Sequence, residues 1–283
     1  MQVWQVGDVR ITSVLEVEGP TPGPFLFSVA DPATVLDRHG WAVGSYVTDD
    51  GMLLSRVQAL VVESGGRTVV VDTCIGNDKE RAVPAWNQLD LPFLGRFREA
   101  GFDPETVDAV VCTHLHVDHV GWNTMLVDGR WVPTFPEARY LFAGPEYAHW
   151  SEAPYRDRPE HDDSIQPVVD AGRVDLVDVD AEIADGVRLV PTPGHTPGHC
   201  SVLISSGGSR ALVTGDFMHH PVQVAAPEWC SKFDTDPVRG EATRREFLAE
   251  HADSDLLVIG THFGGPCSGR IVSADGGYEL TPA

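Results

Sequence analysis

Three histidines and one aspartate stand within six residues, in the segment Thr113-His-Leu-His-Val-Asp-His119. Burying so many titratable groups without partners would be prohibitive in free energy, so they do not form a core pattern. Imidazole nitrogens and carboxylate oxygens are the ligands that Zn²⁺ takes outside thiolate sites, and alternate positions of an extended loop turn His114 and His116 to the same side. The segment therefore predicts a site for a divalent metal.

Three further candidates lie far along the chain, each at a junction between a predicted strand and a loop. His195 lies in the segment 193–199, where glycines and prolines make a rigid turn that can hold an imidazole. Asp216 and His262 each follow a short apolar strand. One such histidine alone is more often structural than a ligand. Five histidines and two aspartates together suffice for two metal ions with one carboxylate shared between them.

The order of these motifs, H-x-H-x-D-H, then Gly-His, then Gly-Asp, then Thr-His, resembles the metallo-β-lactamase fold superfamily of metallohydrolases over residues 57–263. The resemblance implies that His114, His116 and His195 hold one metal, that Asp118, His119 and His262 hold the other, and that Asp216 bridges them. It makes Asp118 and Asp216 the catalytic carboxylates. It also matches Asp72, which ends a strand, to an acidic residue that orients a ligand imidazole through the ring N–H. An ordinary turn residue is the alternative for Asp72.

Position 116 bears on the identity of the metal. Diiron oxidoreductases of the superfamily typically carry Glu there together with a flavin domain, so His116 favours zinc-type hydrolysis, with other divalent ions left open. Two divalent ions beside Asp118 and Asp216 would keep a positive charge that polarises a carbonyl, and would lower the pKa of water to about 7. We expect hydroxide to attack an ester or lactone carbonyl at such a site.

Within the superfamily, the chain looks most like the branch of the N-acyl homoserine lactonases, 4-pyridoxolactonase and methyl parathion hydrolase. The residues that carry this likeness are His-Leu-His-Val-Asp-His-Val-Gly-Trp at 114–122 and Gly-Asp-Phe-Met-His-His-Pro at 215–221. A lactonase or carboxylic ester hydrolase is therefore the expected activity. An organophosphate triester hydrolase on the same ligands is one alternative, and a non-catalytic metal-binding domain is another of a different class.

The elements that must position these side chains fall into two hairpin-rich halves, approximately 1–175 and 176–283, which we interpret as one domain. The periodicity predicts hairpins at 3–18, 57–72 and 270–280, strands at 108–113, 138–142, 187–192, 201–205, 210–214 and 255–260, and helices at 86–100, 145–150 and 237–251. Two facing sheets with helices outside would bury both apolar faces. The predicted fold is therefore α/β, a four-layer α/β/β/α sandwich, as the resemblance also implies.

Residues 19–51 are rich in Pro and Gly and carry aromatic side chains without sustained periodicity. We interpret this segment as a functional loop, a lid or an oligomer contact, which favours a homodimer, while a surface loop that packs its own aromatics is the alternative. An apolar substrate pocket is expected from Phe25, Phe27, Trp41, Trp122, Phe217 and Met218, and further contacts from His219 and His220. Ordinary core packing is the alternative for the apolar members.

The charge balance bears on partners. The chain has 20 Lys+Arg against 42 Asp+Glu, a formal net charge of −22, which repels phosphate backbones and anionic lipid heads. We expect a small-molecule ester or lactone as partner and neither nucleic acid nor membrane. Five scattered cysteines favour reduced thiols, and the first residues lack a basic segment followed by an apolar run, so a cytoplasmic protein is expected.

Overall fold

The computed structural model describes residues 1–152, 154–274 and 276–283. Its strands are β1 (Val3–Val6), β2 (Val9–Thr21), β3 (Leu53–Ser64), β4 (Arg67–Val71), β5 (Ala109–Cys112), β6 (Thr124–Val127), β7 (Arg130–Pro133), β8 (Arg139–Ala143), β9 (Val174–Val177), β10 (Glu182–Ala184), β11 (Val187–Pro191), β12 (Cys200–Ser206), β13 (Ser209–Val213), β14 (Leu257–Ile259), β15 (Ser268–Ala274) and β16 (Gly277–Pro282). Its α-helices are α1 (Gly23–Leu26), α2 (Pro32–His39), α3 (Phe93–Glu99), α4 (Val117–Val120), α5 (Gly144–Trp150), α6 (Gln166–Asp170), α7 (Val222–Ala225) and α8 (Pro237–His251).

Two seven-stranded sheets form the centre of the molecule, in the orders β1-β2-β3-β4-β5-β8-β9 and β10-β11-β12-β13-β14-β15-β16. Each sheet begins with antiparallel hairpins, because tight glycine turns such as Gly65-Gly66, both at positive φ, reverse the chain. Each also contains parallel pairs, β4 with β5 and β13 with β14. The first sheet ends at Val177 and the second begins at Glu182, close to the predicted division of the chain.

The core lies in three apolar layers. Valine, isoleucine and leucine side chains from both sheets, such as Val62 and Val202, meet between the sheets. Phe93 and Phe97 of α3 and Trp150 of α5 cover the outer face of the first sheet. Residues of α2, α7 and α8 cover the second sheet. The predicted four-layer α/β/β/α fold is confirmed.

The segment 19–51 differs from its prediction as a loop. Helices α1 and α2 and a turn of 3₁₀ helix at Gly40–Ala42 lie within it. The signal for α2 was present in the sequence, because the Asp31 carboxylate caps the helix by accepting hydrogen bonds from the backbone N–H groups of Ala33 and Thr34, and a proline follows in the first turn. The segment packs on the second sheet and becomes part of the core.

Three other elements also differ from expectation. The predicted helix 86–100 is helical only from Phe93, because Pro92 restricts the residue before it to extended backbone. The hairpin β6–β7 was missed, although its Asp128-Gly129 turn is a strong hairpin signal. The stretch 157–185 has ten acidic residues and two arginines, a composition that favours a solvated face, yet it buries Glu160 and Asp163. Among the described residues, no helix combines the length and apolarity needed to cross a bilayer.

Candidate metal centre

The candidate ligands gather at one edge of the two sheets, where neighbouring parallel strands end. The segment 113–116 follows β5 and leads into α4, and Asp72 follows the adjacent β4. Asp216 and His262 follow the parallel pair β13 and β14 in the same way. A hydrogen bond from the Cys200 backbone N–H to the Thr113 carbonyl, 3.0 Å long, links the two sheets at this edge. Loops far apart in sequence therefore open onto a common space.

His114, His116 and His195 form the first group. The Nε2 atoms of His114 and His195 lie 2.9 Å and 2.8 Å from Nδ1 of His116. The outer Nδ1 of His195 donates to the carboxylate of Asp234 at 2.9 Å, so its Nε2 carries a lone pair that points inward. Burial lowers the pKa of His116 to about 3 and the pKa values of His114 and His195 well below their usual range, which keeps these imidazoles neutral.

Asp118, His119 and His262 form the second group. The Nδ1 atom of His262 donates to the Arg56 carbonyl at 2.7 Å, and Nδ1 of His119 donates to Oδ2 of Asp72 at 2.9 Å. In the neutral rings both Nε2 atoms then carry lone pairs, yet they face each other at 3.1 Å. That approach requires a cation between them, either a proton or a metal ion.

Asp216 stands between the two groups. Its Oδ1 lies 3.2 Å and 3.0 Å from Nε2 of His119 and His262, and its Oδ2 lies 3.8 Å and 3.5 Å from Nε2 of His114 and His195. One carboxylate oxygen thus faces each group, as a bridging ligand requires. The backbone N–H of Asp216 donates at 2.8 Å to Nε2 of His199, a residue that the sequence analysis did not single out.

The protonation of the second group suits a cation. Burial opposes charge on His119 and His262, but the nearby carboxylates together outweigh it and raise the pKa of both imidazoles: Asp216, Asp72 and Asp118 act on His119, and Asp216 and Asp118 act on His262. Burial also opposes charge on Asp216, yet the imidazoles of His262 and His119 hold its pKa well below the usual range. The ionised Asp216 thus attracts positive charge to this group, and a divalent ion would release the protons that it displaces.

The donor set fits a divalent metal. Ligand atoms lie within 4.8 Å of one another in each of the sets His114–His116–His195, Asp118–His119–His262, His114–His119–Asp216 and His195–Asp216–His219. Neutral imidazoles and carboxylates are the chemistry that zinc sites use. The structure therefore brings together all seven residues that the sequence nominated as ligands.

Two buried carboxylates hold the ligand rings from behind. Asp72, nominated from the sequence, accepts from the backbone N–H of Thr113 at 2.8 Å as well as from His119. Asp234 holds His195, and its second oxygen accepts from the Ser231 backbone N–H at 3.0 Å. Asp234 was missed, because an acidic residue in a loop 39 positions from its histidine gives no local signal.

A cavity of about 540 Å³ opens beside the centre and is lined by His116, Asp118, His195, Asp216, His219 and His262. Part of the lining is apolar. Phe25 lies there with its ring centroid 6.0 Å from that of Trp86 and 5.3 Å from that of Phe233. The charged side chains of Arg56, Glu80, Arg81, Arg158 and Glu160 also line the cavity. The space suits a small substrate with an apolar part.

The nominated pocket residues divide into two classes. Phe25 and His219 line the cavity. Apart from the 3.1 Å contact of its Nε2 with Oδ2 of Asp216, the ring nitrogens of His219 have no polar partner among the described residues. The other six, placed in the pocket by the sequence analysis, are absent from the described lining: Phe27, Trp41, Trp122, Phe217, Met218 and His220.

The physical reason is that most of these six side chains pack in the core. Trp122 stacks on Phe93 and donates to Glu16, and His220 is buried and donates to the Tyr46 carbonyl. Phe27, Phe217 and Met218 are buried beside the second sheet. Trp41 is 43% exposed on the surface. Trp86 and Phe233, which do line the cavity, were missed: Trp86 ends a 3₁₀ helix at Pro84–Trp86, and Phe233 lies in a turn.

A model of the metallo-beta-lactamase superfamily matches residues 54–262, more than half of the chain. The chain belongs to this superfamily. The motif-based assignment of the family is thereby confirmed. Superfamily members use divalent metals, typically zinc, in agreement with the candidate ligand groups described above.

Metallo-hydrolases and lactonases are among the relatives of this metallo-β-lactamase superfamily protein. A probable metallo-hydrolase of Mycobacterium tuberculosis is 26% identical over 232 residues, 72% of this chain and 73% of that protein. An N-acyl homoserine lactonase of a Bacillus species is 31% identical over 201 residues, 66% of this chain and 73% of that lactonase. The protein is thus a metallo-hydrolase of the superfamily with lactonases among its homologues.

Solved structures share the fold. The hydrolase AbOPH of the beta lactamase superfamily has a TM-score of 0.81 and 24% identity, with 99% of this chain and 96% of that chain covered. AidC, a dizinc quorum-quenching lactonase, has a TM-score of 0.80 and 18% identity, with 100% and 97% covered. At these identities the likeness establishes the shared architecture.

Proposed function

We propose that the protein is a dinuclear metal-dependent hydrolase that opens a lactone or cleaves an ester of a small, uncharged substrate with an apolar acyl or aryl group. The observation that carries the proposal is the position of Asp216, whose two oxygens face two separate histidine groups beside the cavity. Retention of all seven candidate ligands in ligand geometry argues against a non-catalytic domain.

When bound, two divalent ions would supply Lewis acidity toward a carbonyl oxygen and lower the pKa of water to about 7. The residues of the chain keep that chemistry in place. Asp216 would bind an ion at each of the two groups, and Asp118, whose Oδ2 lies 3.6 Å from Nε2 of His262, would add a carboxylate to the second group. Asp72 and Asp234 fix the ring orientation and tautomer of His119 and His195.

The lining of the cavity favours an uncharged substrate. The Arg81 guanidinium is occupied by the Asp163 carboxylate, with N···O distances of 2.7 Å and 3.0 Å. The Arg158 guanidinium lies 3.7 Å from the Glu160 carboxylate. The third lining arginine, Arg56, is paired with the Glu18 carboxylate at 2.5 Å. Each lining arginine thus has a carboxylate neighbour, which weakens its hold on an anionic substrate.

The apolar wall would bind the apolar group of the substrate, and His219 would contact its reacting oxygen atoms. The rings of Phe25, Trp86 and Phe233 offer contact for an acyl chain or an aryl group. His219 lies with Nε2 3.1 Å from Oδ2 of Asp216, so an oxygen of a substrate held at the centre would lie within its reach. An aryl phosphotriester is also uncharged and meets the same wall, and it is the second candidate substrate.

Four features of the proposal come from the sequence and are carried forward as predictions. They are zinc as the resident metal, a homodimeric state, a cytoplasmic location, and a small ester or lactone as partner with neither nucleic acid nor membrane.

A hydrolysis panel tests the proposal. The zinc-loaded protein is assayed on lactones of graded acyl length, on aryl esters and on aryl phosphotriesters, before and after chelation. Turnover of lactones or esters that chelation abolishes supports the proposal. Full activity of the metal-free protein, or no hydrolysis of any ester or lactone by protein that holds two ions, would overturn it.

Matched aromatic variants locate the binding wall. Trp86→Ala removes a ring that lines the cavity, whereas Trp41→Ala removes an exposed ring outside it. We expect KM for an apolar substrate to rise about tenfold in Trp86→Ala, the effect of losing about 1–1.5 kcal/mol of aromatic contact. KM in Trp41→Ala should stay at the wild-type value. Equal KM values in the two variants would contradict the assignment of the wall.

A further inference from the structure

Glu146, in the first turn of α5, is a buried carboxylate that accepts from three donors of the described residues, Leu115, Trp150 and Gly198, which all adjoin the candidate metal centre. Its Oε1 accepts from the Leu115 backbone N–H at 3.0 Å and from Nε1 of Trp150 at 2.6 Å. Its Oε2 accepts from the Gly198 backbone N–H at 3.0 Å. Glu146 lies outside the cavity lining and contacts no substrate space, so any effect on catalysis must pass through these donors.

The three donors connect separate parts of the centre. Leu115 stands between His114 and His116 in the loop that follows β5 of the first sheet. Gly198 lies between β11 and β12 of the second sheet, in the turn that carries His195. One carboxylate therefore ties together the two loops that supply the first ligand group. Charge-assisted hydrogen bonds of this kind are about twice as strong as neutral ones.

Gly198 is required for this contact. A Cβ atom at position 198 would lie 2.2 Å from the Glu146 backbone nitrogen and 2.6 Å from its Cα. The turn can approach helix α5 closely only because residue 198 has no side chain. The absence of a side chain at residue 198 thus allows the loop to lie close enough to α5 for the hydrogen bond to Glu146.

His116 is the member of the group that depends most on this arrangement. The outer ring nitrogens of His119, His195 and His262 each donate to a carboxylate or carbonyl oxygen. The outer Nε2 of His116 makes no such hydrogen bond to any residue in the described part of the chain. Its ring instead lies edge-on to Trp150, with centroids 5.0 Å apart, and Trp150 is itself held by Glu146.

We propose that Glu146 is a positioning residue for the metal position of His114, His116 and His195. It orients His116 through the backbone at Leu115 and through the Trp150 ring, in place of a direct hydrogen bond to the imidazole. It also fixes the distance to His195 through Gly198. The proposal rests on the proposed function, because it concerns one of the two metal positions of the same centre.

Glu16 provides a matched control. It is also buried, and it accepts from two backbone N–H groups, those of Ile75 and Gly76, at 2.8 Å and 3.1 Å, and from Nε1 of Trp122 at 2.6 Å. None of these donors is next to a candidate ligand in sequence. Glu16→Gln therefore perturbs an equivalent set of hydrogen bonds away from the first ligand group.

The experiment follows transfer of zinc from the holoprotein to a chromophoric chelator in wild type, Glu146→Gln and Glu16→Gln. In Glu146→Gln the amide nitrogen must face one of the N–H donors, so the link between the loops is broken. We expect one of the two ions to leave about 10–100-fold faster than in wild type, because removal of an outer partner of a metal ligand lowers metal affinity by about that factor. The other ion should leave at the wild-type rate, and Glu16→Gln should release both ions like wild type.

A spectrum separates positioning from general loss of stability. With Co²⁺ in place of zinc, the d–d absorption band of one of the two ions should change in Glu146→Gln. In Glu16→Gln the bands of both ions should match those of wild type. Release of both ions at wild-type rates, equal acceleration of both ions, or the same behaviour in the two variants would overturn the proposal. If the wild-type protein binds no metal, both the proposed function and this inference are overturned. If the wild-type protein binds two ions and Glu146→Gln retains both of them, only this inference is overturned.

Amide exchange on the wild-type protein makes a second test that does not depend on the folding of a variant. The Leu115 and Gly198 N–H groups should both be protected, because both are bound to Glu146. Exchange of either amide as fast as in an open loop would overturn the proposal.

Discussion

Replacement of Asp72 by Asn should weaken metal binding at the position of His119 while leaving the fold intact. Oδ2 of Asp72 accepts from Nδ1 of His119 at 2.9 Å, and Oδ1 accepts from the Thr113 backbone N–H at 2.8 Å. Asp72 has a φ of +57°, a left-handed conformation that Asn adopts more readily than most residues. The backbone of the variant should therefore be retained.

The expected loss of metal affinity follows from the two carboxylate oxygens of Asp72, each of which accepts a hydrogen bond. The Asn side chain has one oxygen, so it can serve either Thr113 or His119, and its NH₂ group then opposes the other donor. If it opposes His119, the imidazole proton moves to Nε2, the atom that faces Asp216 at 3.2 Å. Loss of one hydrogen bond to a charged group is worth about 1.5–3 kcal/mol, which corresponds to about a 10- to 150-fold loss of affinity for one metal ion.

The assay is a competition titration of metal against a chelating indicator, with Asp253→Asn as the control. Asp253 also has a left-handed φ, +59°, and accepts from the backbone N–H and the hydroxyl of Ser273, as Asp72 does from those of Thr113, but at the surface away from the centre. It reproduces the backbone and the hydrogen-bond chemistry without the imidazole. Equal metal affinities in Asp72→Asn and Asp253→Asn would refute the role assigned to Asp72.

Three further predictions test other parts of the structure. Burial lowers the pKa of Lys79 to about 7, so the unfolded chain binds the extra proton above that pH. Wild-type stability should therefore rise between pH 7 and about 10, by at most about 1.4 kcal/mol per pH unit, and Lys79→Met should lose that slope in urea unfolding. Asp236→Ala removes the side-chain cap of α8 and should lower the free energy of unfolding by about 1 kcal/mol. In Gly215→Ala the new Cβ would lie 2.5 Å from Nε2 of His199, so kcat should fall as Asp216 is displaced.

Each of these three predictions has an outcome that would contradict it. Parallel stability curves of wild type and Lys79→Met between pH 7 and 9 would show that this lysine keeps its usual pKa in the fold. Unchanged stability of Asp236→Ala would show that the cap is dispensable. Wild-type kcat in Gly215→Ala would show that the hydrogen bond to His199 does not place Asp216.

Much of the site could be predicted because its signals are local. The histidines at 114, 116 and 119 stand in one short loop, and a strand followed by a polar residue marks Asp72, Asp216 and His262. Parallel strands end at one edge of a sheet, so residues after such strands meet without further information. Hairpin turns such as Gly65-Gly66 are local as well, since the required positive φ selects glycine at those positions.

Tertiary structure decided which groups support the centre and which form its cavity. The contact of Glu146 with Gly198 spans 52 residues, and that of Asp234 with His195 spans 39. No periodicity encodes such distances, because they depend on how the two sheets and helix α5 pack. For the same reason Trp122, beside the ligands in sequence, packs on Phe93 in the core, while distant Trp86 reaches the cavity. The sequence by itself therefore determined the ligand types and the fold class, and packing between elements determined the partners and the shape of the pocket.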